Sequence, residues 1–150
     1  MKTRLLRSLA ALVATTILTG PLHAAEAAWQ TNYEKALAQA KAENKAVLLD
    51  FTGSDWCGYC IKMVKDTLSK KEFTEYAAKN LVLVEVDFPN GKPQTEEVKK
   101  QNAELEKKFG VQGYPTFLLL DKRGKELGRQ RGYLEGGPAT FIAKLESFKK

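Results

Sequence analysis

Histidine is almost missing from this chain: its 150 residues contain one, His23. Cysteine occurs twice, at Cys57 and Cys60. Two are too few for a disulfide-stapled scaffold or a four-thiolate zinc site. No apolar run reaches the ~20 residues of a membrane-spanning helix, and no repeat or low-complexity linker interrupts the sequence. Apolar residues make up 43% and charged residues 28%. That balance excludes a disordered, collagen-like or polytopic membrane chain and fits one soluble domain.

The net charge of +6 owes much to the N-terminus. Lys2, Arg4 and Arg7 form a basic stretch, Leu9 to Leu18 is apolar, and Gly20-Pro21 breaks the run. Small residues follow at Ala24, Ala25, Ala27 and Ala28, as at a signal-peptidase site. Residues 1–24 are therefore expected to be a secretory signal, with cleavage between 24 and 28. A retained anchor would need a longer apolar span, and no cysteine near the cleavage region supports a lipid anchor. The compartment is then periplasmic or secreted, where disulfides can form. Cleavage after Ala24 leaves a charge of +3 and no histidine. Ser-His and Cys-His catalysis and histidine metal sites are excluded from such a mature chain. No basic stripe interleaved with aromatics points to nucleic acid.

The remaining pattern alternates helices with strands. Tyr33 to Glu43 reads as a helix with Tyr33, Leu37 and Ala40 on one face. Ala46 to Phe51 and Leu81 to Phe88 are short apolar runs, as in strands covered on both faces. A helix is expected from Cys57 to about Leu68. Ser69-Lys70-Lys71-Glu72 fits a capping box for the next, with Phe73, Tyr76 and Ala77 inward. Thr95 suits the cap, and Gly110 the stop, of a helix bearing Val98, Leu105 and Phe109 on one face. Thr116 to Leu120 is a third strand. Asp121 to Gly124 turns into a polar edge strand over Glu126 to Tyr133. Gly136-Gly137-Pro138 opens a last helix lined by Phe141, Leu145 and Phe148. The order predicts parallel β-α-β units followed by an antiparallel hairpin.

The chemistry concentrates at Cys57-Gly58-Tyr59-Cys60. A helix start offers unpaired N–H groups and partial positive charge to the first sulfur, favouring a thiolate, the nucleophile of thiol exchange. Cys57, nearer the loop, is expected to be exposed and to attack first, and Cys60, one turn inside, to resolve. An inert bridge across so short a loop would stabilise little. A different class of reading uses Cys57, Cys60 and Met63 as a copper-binding or metallochaperone set, although a methionine one turn along a helix ordinarily packs the core.

The stretch Phe51 to Met63, with Asp50 before it, Trp56 beside the cysteines and Tyr114-Pro115-Thr116 ahead of a strand, resembles the thioredoxin superfamily. The resemblance runs from about Trp29 to Lys150. The stretch Phe51 to Met63 is similar to secreted thioredoxin-like proteins and more distantly similar to the periplasmic thioredoxin-like domain of the reductant conduit DsbD. The Cys-Gly-Tyr-Cys tetrad is also similar to that of DsbC-type isomerases, which carry a separate dimerisation domain.

The resemblance implies a thioredoxin-like domain over residues 29–150. Its fold would be α/β, with a central mixed β-sheet, helices on both faces and an additional N-terminal helix. It implies a thiol-disulfide oxidoreductase without a bound cofactor or metal, whose redox element is the Cys57–Cys60 pair. Its clients would be thiols and disulfides of exported proteins. A redox partner, such as a membrane reductant conduit, would sustain it, and the cleaved chain would be a monomer without membrane insertion. Pro115 is expected to be cis and to face the disulfide. The Tyr114 backbone would pair with an extended client, and Trp56, Gly58 and Tyr59 would border it. Asp50 is expected to help move the Cys60 proton. It lies one residue farther from the cysteines than in typical thioredoxins, so Asp55 competes for that role. Lys62 and Lys65 read as solvated positions that add positive potential. Neither residue between the cysteines is cationic, which favours a reductase over an oxidase or an isomerase, all three remaining open.

Overall fold

The computed structural model describes residues 28–150; the expected signal segment lies outside the described residues. The chain forms β1 (Trp29–Gln30), α1 (Tyr33–Glu43), β2 (Ala46–Thr52), α2 (Gly58–Met63), α3 (Lys71–Asn80), β3 (Leu81–Asp87), α4 (Glu96–Phe109), β4 (Thr116–Leu120), β5 (Glu126–Arg131) and α5 (Gly137–Ser147). The sheet order is β1-β3-β2-β4-β5. β3 runs parallel to β1 and β2, β4 antiparallel to β2, and β5 antiparallel to β4. Of the units expected from the sequence, only β2-α3-β3 is parallel, and the short β1 adds a second parallel neighbour to β3. The expected second parallel unit is not formed, because the chain leaving α4 enters the sheet on the other side of β2 and in the opposite direction. β1 was not foreseen: two residues carry no readable alternation.

Successive side chains of a strand face opposite sides of the sheet, and both sides are filled. Val47, Leu49 and Phe51 of β2 join Val82, Val84 and Val86 of β3 under α1 and α4. Leu48, Leu83, Phe117 and Leu119 pack under α2, α3 and α5. On that second side Phe141 meets Phe117 and Phe73 with ring centroids 5.0 and 5.8 Å apart. On α1, Ala36 and Ala40 are fully buried with Tyr33, while Leu37 packs at the margin.

Local chemistry sets the helix ends. The Asn32 side chain accepts the Lys35 N–H at the start of α1. Thr95 accepts the Val98 N–H at the start of α4, and left-handed Gly110 (φ 60°) ends it. Pro138 sits in the first turn of α5. The expected helix from Cys57 to Leu68 is α-helical only to Met63 and continues as a π-helical turn over Val64–Leu68. The wider turn brings residues five apart onto one side, so Met63 and Leu68 are both buried. The capping box at Ser69 does not form. Ser69 has helical φ/ψ, and its N–H closes the π turn onto the Val64 carbonyl at 2.9 Å. Lys70 takes the extended position before α3 without a side-chain cap. β5 ends at Arg131, two residues early, because the chain turns left-handed at Gly132 (φ 72°).

Candidate functional site: a cysteine pair at a helix start

β2 delivers the chain to one end of the sheet, where a tight turn leads into α2. The N–H groups of Trp56 and Cys57 fold back onto the Gly53 carbonyl at 3.2 and 2.8 Å. Gly53 is required there: a Cβ would lie 2.4 Å from the Trp56 ring. Cys57 is the N-cap of α2, with extended backbone (φ −82°, ψ 103°). Its Sγ accepts the Cys60 N–H at 3.2 Å, the position a Ser or Asp oxygen takes in an ordinary cap. Cys57 and Cys60 form a disulfide, with Cα atoms 5.2 Å apart.

Cys57 is less open than expected. It is 8% exposed against 3% for Cys60, because the Gly53 turn tucks it between its neighbours. The order of access is kept. Trp56 and Tyr59 project instead, 48% and 65% exposed. Ile61 and Val64 on the outer side of the helix are also about half exposed. Met63, needed as a third copper ligand, is completely buried among Leu48, Phe73 and Phe141 and serves as core packing.

Two aromatic groups flank the pair. On one side the Trp56 indole donates to the Phe88 carbonyl at 2.8 Å and meets Tyr114 edge-on at 6.0 Å. Tyr114 stacks on Phe88 at 5.2 Å, and its hydroxyl donates to Glu106. Burial and that carboxylate push the Tyr114 phenol far above its ordinary range. The Tyr114–Pro115 bond is cis, as the resemblance implied. Pro115 is buried, and its carbonyl accepts the Gly132 N–H at 2.8 Å. On the other side Tyr59 stacks on Tyr133 at 6.1 Å, and the Lys62 ammonium lies 4.3 Å above the Tyr133 ring. The Tyr133 hydroxyl donates to Asp66 at 3.0 Å.

The carboxylates separate into different tasks. Asp55 is exposed, and its two oxygens accept the Asn90 and Gly91 N–H groups at 2.9 and 2.7 Å. Those bonds hold its carboxyl below the usual range. Asp55 is a loop clamp. Asp87 accepts the Ser54 N–H and hydroxyl at 2.8 and 2.5 Å. Asp50 is 5% exposed and faces the α2 side with Leu48, beside Glu85 in the register. Its Oδ1 has no hydrogen-bond partner among the described residues. Burial, then Glu85 and Asp87, push its carboxyl well above the ordinary range. Glu85 is raised too, by burial and by Asp87.

Sequence reasoning missed Phe88, Tyr133, Ser54, Glu85 and Asp87. Only Glu85 and Asp87 left a signal, as charges alternating with valines in Leu81-Val-Leu-Val-Glu-Val-Asp87 on the side that carries Leu81 and Leu83. The aromatic contacts around the pair join residues 26 to 74 positions apart and have no local pattern.

The chain, whose cysteine pair caps a helix after a buried strand and whose Tyr114–Pro115 bond is cis, matches the model of the thioredoxin-like domain family over residues 33–149. The chain belongs to the thioredoxin-like family. It is 41% identical over 132 residues to the disulfide bond reductase DsbH of Chlamydia pneumoniae, covering 88% of this chain and 78% of that protein. Over 96 residues it is 36% identical to the thiol:disulfide interchange protein DsbD of Actinobacillus pleuropneumoniae, spanning 63% of this chain but 15% of DsbD. The solved structure of a DsbH oxidoreductase superposes with a TM-score of 0.78 at 39% identity, covering 89% of this chain and 92% of that one. This thioredoxin-like chain is a thiol-disulfide oxidoreductase, with Cys57 and Cys60 as its cysteine pair.

Proposed function

We propose that the chain is an extracytoplasmic disulfide reductase acting on exported proteins. One observation carries the reading: the outer sulfur of a buried, helix-capping pair receives the Cys60 N–H at 3.2 Å. In the reduced protein that N–H and the α2 terminus stabilise a Cys57 thiolate, by about 0.3–1 kcal/mol for the terminus. The similarity to the reductase DsbH supports the direction. The N-terminal segment, with its basic start, apolar run and small residues, supports export.

The Cys57 thiolate attacks one sulfur of a client disulfide. A mixed disulfide forms and the other client sulfur leaves as a thiolate, which takes a proton from water. Asp50 accepts the Cys60 proton, and the Cys60 thiolate then attacks Cys57 Sγ. The Cys57–Cys60 bond closes and the client leaves as its second thiolate. Two electrons have passed from the dithiol to the client, and no bound cofactor enters. Trp56, Gly58, Tyr59, Tyr114 and Pro115 border the client. A membrane dithiol partner, of the class to which DsbD belongs, restores the reduced pair.

Replacement of the resolving cysteine tests the roles. Cys60→Ser is expected to accumulate exported proteins as mixed disulfides on Cys57, visible as dithiothreitol-sensitive adducts. Adducts forming with Cys57→Ser instead would reverse the assignment. Adducts with neither would contradict the exchange mechanism.

A further inference from the structure

Beside the cis-proline a cleft of about 290 Å³ opens between the 110–116 loop and the end of β5. Arg129 and Arg131 line it. Their charges are not equivalent. The Arg129 guanidinium is held by both oxygens of Glu126, at 2.6 and 2.5 Å. Arg131 is exposed and has no carboxylate partner among the described residues. It pairs with Thr116 in the register, and the next residue, Gly132, bonds the Pro115 carbonyl. Its backbone is thus tied to the segment that carries the cis-proline.

Two further features describe what the cleft accepts. Gly113 lines it with no fold requirement for glycine: its φ is not left-handed, and an added Cβ would meet nothing within 4 Å. The missing side chain leaves room for close approach of another backbone. The Tyr114 N–H and C=O enter no hydrogen bond among the described residues. A backbone edge and an unpaired guanidinium thus border one groove.

We infer that this cleft is a subsite for an acidic side chain of the client, with Arg131 as its counter-ion. The occupant is an extended client segment whose backbone runs along Tyr114 and whose Asp or Glu, near the target cysteine, reaches the guanidinium. Arg131 is a specificity residue rather than a catalytic one. The inference rests on the client-exchange reading above and names a substrate class for it: disulfides flanked by acidic residues.

The test uses disulfide-linked peptides that differ only in Glu or Gln, moved through the positions flanking the cysteine, and reads kcat/KM of the reduced protein. At one position Glu is expected to exceed Gln by roughly threefold, the size of a single exposed charge pair. High salt and Arg131→Gln should bring that ratio to about one, and Arg131→Lys should restore part of it. A ratio near one at every position in the wild type, or a preference that survives Arg131→Gln, overturns the inference. If the wild type reduces neither peptide, the exchange reading fails instead. Equilibrium titration of the oxidised protein with cysteine-free Glu and Gln peptides still decides the subsite. Tighter binding of Glu supports it and equal binding overturns it.

Discussion

The two sides of the active-site helix contrast in composition and consequence. The inner side carries Cys60, Met63 and, across from them on β2, Asp50, all sealed from water. The outer side carries Tyr59, Ile61 and Val64, and beside them Trp56, all left open. One helix therefore serves two requirements. Sealing lowers the local dielectric, which raises the Asp50 carboxyl, in keeping with the proposed proton transfer. Exposure leaves aromatic and branched surface open to solvent. Among the described residues, four of the five exposed large hydrophobic residues fall within positions 56–64, the fifth being Leu127. Such concentration marks an interaction surface rather than scattered apolar residues.

The largest effect that would break the comparison is a matched pair of truncations on this helix. Met63→Ala removes a side chain packed on all sides and is expected to destabilise the protein by about 2–5 kcal/mol. Ile61→Ala, on the outer side, should stay within about 0.5 kcal/mol while weakening client reduction. Denaturant unfolding of the two variants measures the difference. Equal losses would mean that the outer side also carries the fold.

Asp50 sharpens the inner half. With the folded carboxyl raised above its ordinary value, the unfolded chain releases its proton at lower pH than the folded chain does. Stability therefore falls as pH rises from the ordinary carboxylate range to the raised value, and levels off above it. Asp50→Asn should flatten that slope, leaving the part that Glu85 contributes. The variant should be more stable than the wild type above the raised range, with the gap closing as pH falls to the ordinary carboxylate range. Its exchange should slow by roughly tenfold to a hundredfold at neutral pH. Thermal unfolding and thiol exchange across that range check both parts. A parallel pH dependence in variant and wild type would remove Asp50 from the account.

The smallest effect concerns the outer half. Trp56→Phe keeps a ring over Gly53 but loses the bond to the Phe88 carbonyl. The expected loss is about 0.5–1.5 kcal/mol, with a raised KM for peptide disulfides and little change in kcat. A change confined to kcat would contradict a bordering role for the indole.

The same division explains what the sequence made legible. Buried regularity was readable: Ala46 to Phe51, Thr116 to Leu120 and the Tyr33 to Glu43 helix announce themselves by apolar runs and period. The cysteine pair was readable because its chemistry is tied to residue type, and Pro115 only through the family resemblance. Joint arrangements were not. The antiparallel placement of β4 depends on which side of β2 the chain returns to. The π turn depends on burying Met63 and Leu68 together. Tyr59 finds Tyr133 only through the tertiary fold. Even the choice between Asp50 and Asp55 needed the structure, because it turns on burial against two loop N–H groups rather than on spacing.

The central claim, a reductase built on a thiol of moderate acidity, is tested most directly by the reduction potential of the Cys57–Cys60 couple. Around the pair the helix terminus is the main stabiliser, and Lys62 rests on Tyr133. The account predicts a value of roughly −270 to −180 mV when the purified protein is equilibrated with glutathione buffers. A value near −120 mV, the range of a strong oxidant, would contradict it and make this a disulfide-forming enzyme.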